Sequence, residues 1–145
     1  MHKLIGASLL VVGLVACGPS GNKKSAEKQA SNPVETPITL DEHPGKQAYL
    51  RHCMACHQRN ANGLPGMYPP LANNKMVSGD PSPLIDIVLN GMSGEIEVNG
   101  QKYNGVMASY RNLSDQEIAD ILNYLRTGFG NEGAEIVASD VKALR

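Results

Sequence analysis

Cys53-Met54-Ala55-Cys56-His57 decides how the rest of this chain is read. A Cys-x-x-Cys pair with a histidine directly after it is what covalent haem attachment requires. Each thiol can add across one haem vinyl group, and the following imidazole can reach the iron from the same side. Zinc is a competing use of such a pair, but a closed zinc centre takes four protein ligands. The only other cysteine is Cys17, far upstream. A redox dithiol would need a strand–helix context, which the flanking residues do not offer. The motif points to one covalent haem c, with Cys53 and Cys56 as attachments and His57 as first axial ligand.

Upstream, His2 and Lys3 precede an apolar run from Leu4 to Ala16. Its length suits an export signal and is too short for a settled transmembrane helix. Leu14-Val15-Ala16-Cys17 resembles a bacterial lipoprotein processing site. That resemblance implies cleavage before Cys17 and a lipid on its thiol, so residues 1–16 are expected to be a signal peptide. More than one acyl chain is needed for stable anchoring, and bacterial lipoproteins supply this at the modified cysteine. Gly18 follows Cys17 where an aspartate would signal inner-membrane retention. In a Gram-negative host that favours the outer membrane, with the protein facing the periplasm or the cell exterior. Residues 17–40 are rich in Pro, Ser, Asn, Lys and Glu. They bury too little to offset their ordering entropy and read as a flexible tether.

Residues 41–145 remain for one small domain. The net charge of −1, with no basic run, argues against nucleic acid as a partner. There is no Trp, and Phe129 is the only Phe. A porphyrin would supply much of the missing core. The first helix is expected from about Glu42 or His43 to Cys53, capped by Asp41, with Pro44 in its first turn. Gly45, Ala48, Tyr49 and His52 share one of its faces. Asp80-Pro81 opens a second helix that closes at Asn90-Gly91, with Leu84, Ile85, Val88 and Leu89 as its stripe. Glu95 to Tyr103 alternates around Asn99-Gly100 and reads as a hairpin with Ile96, Val98 and Tyr103 inward. Ser114 and Glu117 form a capping box for a helix that runs to about Thr127. Ile118, Ile121, Leu122 and Leu125 make its apolar face, and Tyr124 can meet the Gly45/Tyr49 surface. A short terminal helix starts near Asp140.

Gln58 to Pro70 holds Gly63, Pro65, Gly66, Pro69 and Pro70 and cannot be one helix. A ligating histidine needs its second nitrogen hydrogen-bonded. A constrained carbonyl at Pro70 or its neighbour Pro69 suits that role, and Tyr68 and Leu71 can close the same side. The second axial ligand sets the haem's potential and reactivity. Met54 lies inside the motif, while Met67 and Met76 come early. Met92 and Met107 come late enough to return over the far face. Met107 reads as a loop residue between the hairpin and the capped helix.

Several strings carry a resemblance to class I cytochromes c. They are Tyr-x-x-x-Cys-x-x-Cys-His-Gln from Tyr49, Tyr-Pro-Pro-Leu-Ala from Tyr68 and Ile-x-Val-Asn-Gly from Ile96. Tyr-Asn-Gly-Val-Met from Tyr103, Leu-Ser-Asp-x-Glu-Ile-Ala from Leu113 and Asn-Tyr-Leu-Arg from Asn123 continue it. The chain looks closest to the cytochrome domains that accompany copper nitrite reductases and quinone-linked alcohol dehydrogenases, over residues 43 to 144. The resemblance implies an all-α fold around one haem c, with a short β-hairpin. It further implies Met107 as distal ligand, Pro70 as the residue orienting His57, and a terminal-helix contact made by Gly45, Tyr49 and Tyr124.

These readings describe a one-electron carrier rather than an enzyme. Expected donors are a quinol-oxidising complex or a dehydrogenase, and expected acceptors a nitrite reductase or a terminal oxidase. A small peroxidase would need a distal acid–base group, and no histidine follows His57. A haem-based sensor would need Met107 to detach.

Overall fold

The structure, a computed structural model, describes residues 39–145. The segments expected to be an export signal and a tether, with Cys17, lie outside the described residues up to residue 38. The elements run α1 (Gly45–His52), α2 (Met54–His57), α3 (Lys75–Ser78), α4 (Pro81–Asn90), β1 (Met92–Val98), β2 (Gln101–Met107), α5 (Asp115–Arg126) and α6 (Ala138–Ala143). The two strands form one antiparallel hairpin, and the described chain is otherwise helices and loops. This is the expected mostly helical architecture with a short hairpin.

Helix α1 starts later than Glu42, and Asp41 does not cap it. A residue before proline is disfavoured in the helical region, so Pro44 pushes His43 out of the helix and becomes the N-cap itself. The freed Gly45 N–H donates to His43 Nδ1 at 3.1 Å. Asp41 instead pairs with Lys46 at 2.6 Å on the surface. The helix then packs on α5 at Gly45, where a Cβ would lie 1.9 Å from the Asp120 carbonyl oxygen. Only glycine allows this approach.

Beside that contact, Tyr49 and Tyr124 pack at a tilt of 53° with ring centroids 5.4 Å apart, and Phe129 meets Tyr124 edge-on at 5.2 Å. Such aromatic pairs add about 0.5–1.5 kcal/mol each beyond the area they bury. The Tyr49 hydroxyl donates to the Gln58 carbonyl at 2.6 Å. The contact between terminal helices is thereby wired to the residue immediately after His57.

Helix α4 follows its local signals: Asp80 accepts from Ser82 N–H at 2.9 Å, and Gly91 ends the helix at φ 74°. Its stripe of Leu84, Ile85, Val88 and Leu89 is buried. Ser114 and Glu117 form the expected capping box on α5, which buries Ile118, Ile121, Leu122, Tyr124 and Leu125. Helix α6 begins at Ala138, two residues before the expected Asp140, whose carboxylate accepts from the Val137 N–H.

The hairpin is longer than its alternating sequence suggested. Pairing extends from Val98↔Gln101 back to Met92↔Met107, with Gly94 facing Gly105. That glycine pair has no side chains, so it erased the period-two signal in the sequence. Asn99 and Gly100 both take positive φ, as the tight turn between twisted strands demands. Met107 is therefore the last residue of β2, a correction to its reading as a loop residue.

Arg126, only 2% exposed, was not anticipated as a structural group. Its guanidinium donates to the carbonyls of Val77, Gly79 and Ala134 and fixes the α3–α4 junction against the C-terminal segment.

Burial lowers the His43 pKa from its ordinary value, while the Asp120 carboxylate pulls the other way. Neutral Nδ1 can accept from Gly45; a protonated ring cannot. The folded chain therefore binds the proton less readily than the unfolded chain. The stability from this group is present above about pH 6.5 and is lost as pH falls through the lower folded value. Denaturant midpoints measured from pH 7.5 to 5 should fall more in the native chain than in a His43→Phe variant. Parallel profiles would remove His43 from the account.

Candidate functional site

Two adjoining cavities, of about 390 and 190 Å³, open between the α2 loop, the hairpin and the α4–α5 core. His52, Cys53, His57, Pro69, Met92, Ile96, Met107 and Tyr110 line both, so they form one cleft. Leu84, Val88, Leu113, Ile121, Leu122 and Leu125 make its apolar floor. Cys56 opens onto the smaller part together with Met67, Tyr68 and Gly105. Leu71 lies on the larger part, with Asn74, Lys75, Glu97 and Asn99 among its polar lining.

Cys53, Cys56 and His57 come together because α2 is a helical turn following directly on α1. Both thiols are free rather than joined in a disulfide. Burial, with the neighbouring Cys56 adding to it, pushes the Cys53 thiol up to about 12.

His57 is buried, and burial lowers its pKa, opposed by its bond to Pro69. Its Nδ1 lies 3.0 Å from the Pro69 carbonyl oxygen. A carbonyl only accepts, so Nδ1 carries the proton and Nε2 keeps the lone pair that can bind a metal.

The orienting carbonyl thus belongs to Pro69, which corrects the assignment of this role to Pro70. The Pro70 carbonyl accepts instead from Asn74 Nδ2 at 2.8 Å. Consecutive prolines hold the chain extended, and neighbouring carbonyls of an extended chain face different sides. One faces His57 and the next faces α3. The loop that carries them is tied by Gly63 N–H to the His57 carbonyl and by Leu71 and Ala72 N–H to the Ala61 carbonyl.

Asn131, 4% exposed, was missed in the sequence and supports this side of the site. Its Nδ2 donates to the Leu71 and Leu125 carbonyls, both at 2.9 Å, and its Oδ1 accepts from Asn74 N–H at 2.8 Å. Asn74 in turn caps α3 by accepting from Met76 N–H. An asparagine ahead of a short helix is a readable cap. Nothing local to Asn131 announces its distant carbonyl partners.

On the other side of the cleft, Met107 is half-buried at the end of β2. Its strand end is anchored to α4: Tyr110 N–H donates to the Val88 carbonyl, and the Ser109 hydroxyl to the Leu89 carbonyl. The Tyr110 hydroxyl donates to the His52 carbonyl at 2.6 Å, joining this segment to α1. Two thiols, a neutral imidazole with a free Nε2 and the thioethers of Met92 and Met107 thus line one apolar cleft. That donor set fits a covalently attached haem.

The family model for cytochrome c matches residues 43–129. The chain belongs to the cytochrome c family. It is 40% identical over 117 residues to a cytochrome c-552 of Thermus thermophilus, covering 74% of this chain and 78% of that protein. It is 39% identical over 105 residues to the cytochrome c subunit of the quinone alcohol dehydrogenase of Gluconobacter oxydans. That match covers 70% of this chain and 22% of the subunit. The gluconate 2-dehydrogenase cytochrome c subunit of Pantoea cypripedii is 34% identical over 110 residues, 72% of this chain and 24% of that subunit. A cytochrome c of this kind carries electrons on a covalent haem c and its iron, and its fold is that of class I.

Replacing Asn131 by Ala strips three backbone groups of their partner, two of them in buried bonds and the Leu71 carbonyl in a part-buried one. At about 1–3 kcal/mol for a buried group left unsatisfied, the loaded cytochrome should lose on the order of 3 kcal/mol by denaturant titration. An unchanged midpoint would mean that water or a relaxed loop replaces the amide.

Proposed function

We propose that this cytochrome is a membrane-tethered, extracytoplasmic one-electron carrier and has no catalytic activity of its own. In this reading Cys53 and Cys56 bear the thioethers, His57 is the proximal ligand and Met107 the distal one. The observation that carries it is the pairing of a neutral, Pro69-oriented His57 with Met107 in one apolar cleft. When bound, haem c supplies a ferric–ferrous couple, and a thioether ligand favours the ferrous side of that couple.

The chain's own residues do the rest. The Pro69 carbonyl holds the imidazole tautomer and its orientation. The floor from α4 and α5 presents only aliphatic side chains to the site. The hairpin adds Met92, Ile96, Val98 and Met107, none of which can act as an acid or a base, and the one carboxylate it brings to the lining, Glu97, is exposed. This lining supports a carrier over a peroxidase.

Lipidation at Cys17, the tether over residues 17–40 and a place in the bacterial cell envelope belong to the same proposal. They rest on the Leu14-Val15-Ala16-Cys17 string. The tether would let the domain move between membrane-bound partners without being lost. Relatives named as cytochrome subunits of alcohol and gluconate dehydrogenases favour a dehydrogenase among the donors. The acceptor would be a terminal oxidase or reductase.

Visible spectra of the loaded protein test the carrier reading. Low-spin iron in both oxidation states, with a far-red methionine–iron band and no uptake of carbon monoxide, is the expected result. High-spin iron that binds carbon monoxide would replace the carrier by a sensor or peroxidase. Intact-mass measurement on the mature protein tests the anchor. It should return residues 17–145 plus haem and acyl chains; a mature chain without acyl mass would remove the anchor.

A further inference from the structure

We propose that Met92 is a second distal thioether, placed to occupy the sixth iron position whenever Met107 leaves it. The inference rests on the reading of Met107 as the resident ligand. Met92 stands directly opposite Met107 in the hairpin register. Directly opposed residues of an antiparallel pair put their side chains on the same face, with Cβ atoms about 4.5–5.5 Å apart. Both methionines line both parts of the cleft that His57 lines. Both are half-buried rather than sealed in the core.

Their backbones are held at the same height by the same anchor. Gly91, at φ 74°, lies so close to the other strand's end that a Cβ would sit 2.5 Å from the Met107 carbonyl oxygen. The first residue of β1 and the last of β2 are therefore clamped together at the end of α4. The next pair along this face is Gly94↔Gly105, with no side chain on either strand. A Cβ built on Gly94 meets nothing within 4 Å, and one built on Gly105 meets only the Met67 carbonyl oxygen, at 3.5 Å. That gap gives two unbranched, flexible thioethers room to change places.

The exchange breaks one iron–sulfur dative bond and makes another, with no electron or proton transferred. A thioether stays on the iron, so the low-spin state and closure against small gases persist while Met107 is displaced.

The test compares the loaded native cytochrome with Met92→Leu, Met107→Leu and the double variant, by far-red absorption and carbon monoxide titration of the ferrous form. Leucine for methionine conserves volume and is tolerated in packed sites. Should Met107→Leu fail to load haem, Met107→Ala gives the same readout. Met107→Leu is expected to keep a methionine–iron band and exclude carbon monoxide. The double variant loses the band and binds the gas. A Met107→Leu protein that already binds carbon monoxide as readily as the double variant overturns the proposal and leaves Met107 as the ligand. Loss of the band in Met92→Leu alone makes Met92 the resident ligand. That outcome removes both the exchange and the Met107 assignment, and leaves a low-spin carrier in place.

Discussion

An apolar hollow of about 390 Å³ lies where a cofactor-free domain of this size would have its densest packing. Leu84, Val88, Ile121, Leu122 and Leu125 face it from α4 and α5. Apolar side chains left facing such a space forgo about 25 cal/mol for each Å² that stays uncovered, so the lining is stabilising only when an apolar group covers it. The porphyrin is thus the part of the core that the chain does not encode, and each element is placed by how it meets that space. A composition without Trp and with a single Phe is adequate on these terms.

Around the hollow, the contact between α1 and α5 serves as the fixed frame. It depends on a missing side chain at Gly45 and a cluster of three rings, Tyr49, Tyr124 and Phe129. From that frame the Tyr49 hydroxyl reaches the Gln58 carbonyl, and the Tyr110 hydroxyl reaches the His52 carbonyl. The haem motif lies between these two bonds. Its position therefore comes from packing at both ends of the folded region, rather than from the motif's own short helix.

The legible parts of the fold were those specified by neighbours in sequence. Asp80 with Ser82, Ser114 with Glu117, and Asn99-Gly100 each act over a few residues, and each was read where it stands. The attachment motif is likewise local. Misreadings arose where a stronger local rule intervened, as when Pro44 excluded His43 from the helix and displaced Asp41 from its cap. They arose also where the signal was a pair of glycines, as in the upper half of the hairpin. The choice between Pro69 and Pro70 turns on which way a carbonyl faces, which two adjacent prolines cannot reveal. Arg126 and Asn131 were opaque for a different reason. Their partners are backbone carbonyls of Val77, Gly79 and Leu71, and a sequence does not mark which carbonyls lack a donor.

These long-range bonds bear on what the site can do. Electron transfer is fast when the ligands barely move between oxidation states, because ligand motion adds to the barrier. On one side of the cleft, His57 is held by Pro69, the adjoining Pro70 by Asn74, and Asn74 by Asn131. Across the cleft, Met107 ends a strand sewn to α4 through Ser109 and Tyr110. Arg126 then locks the α3–α4 junction to the C-terminal segment. Backbone stiffness on both sides of the hollow is what a carrier needs. A sensor would instead need one side to yield. The freedom that remains on the hairpin is in side chains, at two methionines beside a pair of glycines. It can change which sulfur faces the hollow without moving the frame.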